Sequence, residues 1–141
     1  MEEREKLNLN IVINYMLGER FLEISEPTNI QITTNISIMR LTPISDGLEF
    51  SFIFTANYNP AIANIIIKGL IRISGSKEEL EEIRKNYEKK KAIPAQILQS
   101  VANASFIEGV IIAKSLNIPP PIPLPMIAQS SEEGRSSSYI A

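Results

Sequence analysis

Three closely spaced glutamates, Glu19, Glu23 and Glu26, are the side chains of this 141-residue sequence whose types and spacing most suggest acid–base chemistry. Two neighbouring carboxylates can divide the roles of general acid and general base between them. Neither a partner base nor a glycine-rich loop for a phosphate accompanies the three glutamates. We therefore interpret them as part of a solvated loop and predict that the protein is not an enzyme.

The absence of cysteine and histidine excludes most other catalytic and metal-binding chemistry. Without these residues the chain has neither a thiolate nucleophile nor an imidazole base. It also lacks the usual ligands of zinc, haem and iron–sulfur clusters. We therefore expect no cofactor, no metal site and no disulfide.

Charge and hydropathy restrict the partners of the protein. The net charge of −2 argues against a nucleic-acid-binding protein, because such proteins normally carry a basic surface. The charged start of the sequence is not a secretory signal, and no run of about 18 apolar residues is present to span a membrane. We expect a soluble, cytoplasmic protein that does not insert into membranes.

Four segments alternate between apolar and polar residues with the period of a β-strand. Strands with one apolar face form an antiparallel sheet that is solvated on one side. Ser45-Asp46-Gly47 is a hairpin signal between the second and third segments, whereas residues 19–29 are long enough to cross over. The predicted apolar faces are Leu7, Leu9, Ile11, Ile13 and Tyr15; Ile30, Ile32, Ile36 and Ile38; Leu48, Phe50, Phe52, Phe54, Ala56 and Tyr58; and Ile65, Ile67, Ile71 and Ile73.

Beyond Gly75 the apolar period lengthens to that of an α-helix, which predicts two helices. Ser76 and Glu79 form a capping box at the start of a charged helix that runs to about residue 90. A longer helix extends from Pro94 to about Asn117, and its second half is apolar nearly all round. One sheet face can bury only one stripe of a helix, so we favour a subunit interface for this half; packing on the sheet alone is the alternative. The predicted interface residues are Phe106, Ile107, Val110, Ile111 and Ile112.

Most of the nine prolines lie in the segment Ile118-Pro119-Pro120-Pro121-Ile122-Pro123-Leu124-Pro125-Met126-Ile127. This composition predicts an extended, polyproline-like path, because proline can enter neither a helix interior nor a central strand. Two interpretations remain open: the segment forms a wall of a groove that accepts unfolded peptide, or it is a structural strap that covers the end of the helix. We predict one domain over residues 1–127 and a disordered polar tail over residues 128–141.

Four antiparallel strands, a long helix that begins Pro94-Ala95-Gln96-Ile97-Leu98 and the proline segment together resemble the SecB family of bacterial protein-export chaperones and its shorter relatives. The stretch Ile67-Lys68-Gly69-Leu70-Ile71-Arg72-Ile73 is also similar to the last strand of that family. The resemblance implies an α+β fold: a four-stranded antiparallel sheet with a charged helix and a long C-terminal helix packed on one face.

The same resemblance implies an ATP-independent holdase that binds non-native polypeptides in apolar grooves and forms a homo-oligomer, a dimer or tetramer. The client-binding residues that it implies are Phe21, Leu22, Ile24, Pro120, Ile122, Leu124, Met126 and Ile127. The alternative is a structural or adaptor protein that binds one folded partner through the apolar helix and the proline segment. Docking to the export motor SecA is not implied, because the predicted polar sheet face carries Lys68 and Arg72 where that family has acidic residues.

Overall fold

The computed structural model describes residues 7–23 and 29–122. Within these two ranges four strands and two helices follow one another, and they confirm the predicted α+β class. The strands are β1 (Asn8–Arg20), β2 (Gln31–Ile44), β3 (Gly47–Asn59) and β4 (Ala63–Ser74); the helices are α1 (Lys77–Lys90) and α2 (Ala95–Leu116).

The four strands form one antiparallel sheet in the spatial order β1-β4-β3-β2. Hairpins join β2 to β3 and β3 to β4, and the first of them turns at Ser45 and Asp46 as predicted. Because β1 and β2 occupy opposite edges, the connection between them crosses the sheet. The predicted crossover is thereby confirmed.

The core lies on one face of the sheet, which we call the inner face, and it is richest on the two central strands. Alternate side chains of β3 and β4 are buried there, as the period of two in their sequences requires. Each large apolar side chain that is fully buried contributes about 1.5–3 kcal/mol relative to an exposed one. The buried set on these strands comprises Leu48, Phe50, Phe52, Phe54, Ala56, Tyr58, Ile65, Ile67, Ile71 and Ile73.

A β-bulge in β1 changes which side chains of this strand face inward. Ile13 pairs with Gly69, but Tyr15 pairs with Lys68, so Asn14 is an extra residue on the edge strand. A shift of one residue moves the following side chains to the opposite face. The sequence prediction that Tyr15 belongs to the apolar face is therefore wrong: its ring lies on the outer face, 4.7 Å from Lys68 Nζ.

Helix α1 is capped at both ends, and α2 has a cap at its C-terminal end. The side chain of Ser76 accepts a hydrogen bond from the Glu79 backbone N–H at 3.1 Å, as the predicted capping box requires, and α1 ends at Lys91 in the left-handed conformation. Pro94 precedes α2, which ends at Asn117, also left-handed. The left-handed turn at Asn117 reverses the chain, so the segment after α2 returns over the inner face.

The face of α2 that packs on the sheet is narrow. The buried side of the helix consists of residues four positions apart, Ile97, Val101, Ser105, Gly109 and Ala113. The sequence predicted burial of the second half on more than one side, whereas within one chain a single stripe is buried. The rest of the apolar surface of α2 is exposed or half-buried.

Among the described residues, α2 is also the helix that is long and apolar enough to cross a membrane by length and composition alone. The apolar residues of α2 pack one face of the helix on β1, β4 and β3.

Candidate functional site

The segment that follows α2 packs on the inner face; we call residues 118–122 the strap. Ile118 is buried, and its backbone N–H donates to the Ala113 carbonyl at 3.0 Å. The Tyr58 hydroxyl donates to the Pro119 carbonyl at 2.5 Å. The first two residues of the strap are thus fastened, Ile118 to α2 and Pro119 to β3.

The Tyr58 hydroxyl, which binds the strap, lies in an environment that disfavours its phenolate form. Desolvation by burial raises the pKa of Tyr58 to about 12. The neutral phenol therefore persists as a hydrogen-bond donor to Pro119 over the whole physiological pH range.

Gly109 makes room for the strap between α2 and the sheet. Pro121 is fully buried there, and a methyl group on Gly109 would lie 3.1 Å from Pro121 Cγ and 3.8 Å from Phe54 Cε2. A glycine in the middle of an apolar helix is a sequence signal of such a close approach. The role of Gly109 was nevertheless missing from the sequence prediction.

Two of the residues implied as client-binding directly follow β1. The backbone N–H of Phe21 donates to the Ile62 carbonyl at 2.6 Å, and that of Leu22 donates to the same oxygen at 3.4 Å. Their side chains nevertheless point to solvent, with 49% of Phe21 and 59% of Leu22 exposed. An apolar pair held by its backbone but not covered by its own chain can bury side-chain area against a partner at small entropic cost.

Arg20 connects this pair to the end of α2. Its guanidinium donates to the Leu116 carbonyl at 2.8 Å and to the Leu22 carbonyl at 3.3 Å. A cation at a helix C-terminus is favourable, because the last carbonyls of the helix carry partial negative charge. The start of the crossover and the start of the strap therefore meet at one corner of the molecule, through a residue that sequence reasoning did not single out.

The other predicted client-binding residues divide into two groups. Pro120 is exposed and Ile122 is half-buried, so both offer surface at the strap. Ile24, Leu124, Met126 and Ile127 lie outside the described residues.

The predicted subunit interface is divided between two faces of α2. Ile107 and Ile111, one turn apart, point outward with 60% and 54% of their surface exposed. In contrast, the Phe106 ring packs edge-on against Phe54 at 5.5 Å between centroids. Ile112 lies over Gly18 of β1, where an added methyl group would be only 2.3 Å from its Cγ2 atom.

The glutamates form no catalytic pair among the described residues. Glu19 and Glu23 are exposed, and Glu23 Oε2 lies 3.9 Å from a guanidinium nitrogen of Arg20; Glu26 lies outside the described residues. Within residues 7–23 and 29–122, no group of three or more acidic, histidine or cysteine side chains could hold a metal ion. The apolar surfaces are thus the features of this part of the chain that suggest a function.

Comparison of the structure with solved proteins identifies the architecture as that of the SecB-like chaperones, so the predicted resemblance is confirmed at the level of the fold. The particular match is the SecB-like chaperone Rv1957 of Mycobacterium tuberculosis, solved in complex with a ChAD peptide from the HigA1 antitoxin. The two structures superpose with a TM-score of 0.52, and the match covers 91% of this chain and 94% of that chain at 8% sequence identity. The sequence itself matches no family model and no curated protein.

Proposed function

We propose that this protein is a non-enzymatic, ATP-independent chaperone that binds non-native polypeptides. The observation that carries the proposal is the exposed pair Phe21 and Leu22, held by backbone hydrogen bonds beside the end of α2. The SecB-like fold supports it, and so does the structural match, a chaperone solved with a peptide from another protein.

The physical basis of binding is the burial of apolar side chains of an unfolded segment against this pair and against Pro120 and Ile122 on the strap. A fully buried leucine or phenylalanine contributes about 1.5–3 kcal/mol, and a folded client no longer exposes such side chains. Binding and release therefore follow the folding state of the client, and no nucleotide is required. The proposed domain is residues 1–127, and the proposed location is the cytoplasm.

The test is suppression of aggregation, measured by light scattering with a chemically unfolded client at stoichiometric ratio. We expect the unaltered protein to suppress scattering, and the double variant Phe21→Ser, Leu22→Ser to require about tenfold more chaperone for the same effect. Tyr15→Ser is the matched control, because it removes a partly exposed aromatic ring from the outer face. Failure of the unaltered protein to suppress scattering would contradict the proposal.

The second candidate is a structural or adaptor protein that binds one specific folded partner. The structural match favours this alternative in one respect, since it was solved with a peptide from a single antitoxin. Titration calorimetry with several unrelated unfolded clients separates the two functions. A chaperone binds most of them with similar affinity, whereas an adaptor for one folded partner binds none of them.

A further inference from the structure

Helix α1 is held more loosely than α2 by the rest of the described structure. Helix α2 packs on β1, β4 and β3, whereas α1 packs less extensively on each of the four strands. Most residues of α1 are charged, and Ile83 is its one buried residue. A helix that belongs to a core normally buries a wider apolar stripe.

Three apolar side chains attach α1 to the core, spaced three and four positions apart: Leu80, Ile83 and Tyr87. The ring of Tyr87 lies edge-on to the fully buried ring of Phe50, with 5.1 Å between their centroids. Leu80 and Tyr87 are themselves only half-buried. The attachment is therefore a narrow stripe along one side of the helix.

Open clefts flank this stripe. The cleft toward the β2–β3 hairpin has a volume of about 830 Å³, and Pro43, Leu48 and Leu80 supply its apolar lining. A second cleft, of about 330 Å³, lies between α1 and the connection to α2, where Leu7 and Ile93 line it. The residues of α1 that line the two clefts lie mostly on opposite sides of the helix. Close packing is thus interrupted on both flanks of α1.

The other interactions of α1 are within the helix and its caps. Ser76 accepts from the Glu79 N–H at the start, and the Lys91 N–H donates to the Tyr87 carbonyl at 2.8 Å at the end. Arg84 pairs with a glutamate on each side along the helix, one three positions before it and one four positions after it. These contacts favour the helical conformation, but they do not attach α1 to the sheet.

The connections on either side of α1 can act as hinges. Gly75 joins β4 to the N-cap of α1, and a glycine backbone adopts conformations that other residues avoid. Residues 91–94, between the two helices, belong to no regular element. Hinges are loop or element-terminal positions of this kind, which absorb changes in backbone dihedral angles.

We propose that α1 is a lid that opens from the inner face as a unit, while the sheet and α2 remain folded. Opening breaks the contacts of one narrow stripe, so it requires far less free energy than global unfolding. In the open state Leu48 and Phe50, which are buried in the closed structure, become accessible to solvent. The proposal concerns the movement of one helix, so it stands or falls independently of chaperone activity.

The absence of cysteine from the sequence permits a test by maleimide labelling of single cysteines in the full chain. Ile83→Cys probes the stripe of α1, and Ile67→Cys, fully buried on β4, is the matched control because it makes the same truncation. We expect Ile83→Cys to react about a hundredfold faster, since Ile67→Cys is exposed only by global unfolding.

Urea below the unfolding midpoint separates local opening from global unfolding. The labelling rate of Ile67→Cys should rise steeply with urea, whereas that of Ile83→Cys should rise little, because opening α1 exposes less surface. Equal rates with equal urea dependence would overturn the proposal.

Amide exchange guards against an effect of the cysteine itself. A helix of 14 residues is marginal by itself in water, so opened α1 loses its hydrogen bonds. In the unaltered protein, residues 82–85 should exchange about a hundredfold faster than residues 102–108 of α2. Equal protection of the two helices would contradict the proposal.

The variant Tyr87→Ser distinguishes opening from fraying of the helix. It removes the ring that packs on Phe50, so exchange at residues 82–85 should accelerate about tenfold further, with no change in α2. Asn86→Ser, at the exposed neighbouring position, is the control for helix propensity and should have little effect. Equal acceleration in the two variants would count against a lid held by this stripe.

Discussion

Tyr58 joins the strap to the sheet through one hydrogen bond in a partly desolvated position. A neutral hydrogen bond contributes about 0.5–1.5 kcal/mol, and the phenolate form loses the donor altogether. The same side chain is an inward residue of β3, so one position serves both the core and the strap.

The raised pKa of Tyr58 predicts a loss of stability at alkaline pH. The pKa is about 12 in the folded protein, against about 10 for an unperturbed tyrosine, so the folded state retains the proton more strongly. Its contribution to the free energy of unfolding is fully present below pH 10 and is lost as the pH rises from 10 toward 12. Urea denaturation across this range should show the decline.

The matched variant is Tyr58→Phe, which keeps the ring and removes the titrating group. We expect it to be less stable than the unaltered protein at neutral pH, because the bond to Pro119 is lost. It should also lose less stability than the unaltered protein between pH 10 and pH 12. An identical pH dependence of the two proteins would contradict the assignment.

At the scale of elements, α2 joins the sheet to the strap, and Gly109 determines how closely they approach. The helix buries one stripe against β1, β4 and β3, and Pro121 fills the space over Gly109. Glycine lowers helix stability by about 1 kcal/mol relative to alanine. The absence of a side chain at Gly109 allows the close contact between α2 and the strap.

Gly109→Leu should therefore detach the strap while leaving the helix intact. The larger side chain overlaps the position of Pro121, and overpacking of this kind costs about 1–3 kcal/mol. We expect faster amide exchange at Ile118, whose N–H bonds to Ala113, with unchanged exchange in the centre of α1. The control is Asn103→Leu, which adds the same bulk on the exposed face of α2; similar exchange at Ile118 in both variants would contradict this role of Gly109.

For the whole molecule, the outward face of α2 is an apolar surface that its own chain leaves exposed. Ile107 and Ile111 are the most exposed of the five residues predicted at a subunit interface. Single exposed apolar side chains are ordinary, whereas a contiguous apolar stripe on a long helix is typical of interfaces. We propose that this stripe mediates self-association into a dimer or tetramer.

The oligomer prediction is tested by light scattering coupled to gel filtration. The unaltered protein should have a mass of at least twice 15.7 kDa at micromolar concentration. Ile107→Asp with Ile111→Asp should reduce the mass to that of the monomer, because burying two carboxylates in an apolar interface is costly. Lys85→Gln with Lys89→Gln on α1 makes the same change in net charge and is the control, and a monomeric unaltered protein would refute the prediction.

Periodicity and capping were sufficient to predict most of the architecture. The period of two in β3 and β4 placed their inward side chains correctly, and Ser76 with Glu79 marked the start of α1. These features depend on neighbours within a few residues, so local sequence contains the information. The resemblance to SecB, confirmed at the level of the fold, depended on the order of these elements and on the proline segment.

The positions of the candidate surfaces depended on contacts between residues far apart in the chain. Only the pairing of β1 with β4 moves Tyr15 to the outer face, and only the docking of α2 separates the outward Ile107 from the inward Phe106. The guanidinium of Arg20 reaches Leu116 across 96 positions of sequence, which no local pattern predicts. The sequence by itself determined which segments are strands, helices and an apolar strap, because backbone geometry and side-chain alternation are local. Tertiary packing decided which apolar side chains remain exposed, because burial depends on the elements that cover them.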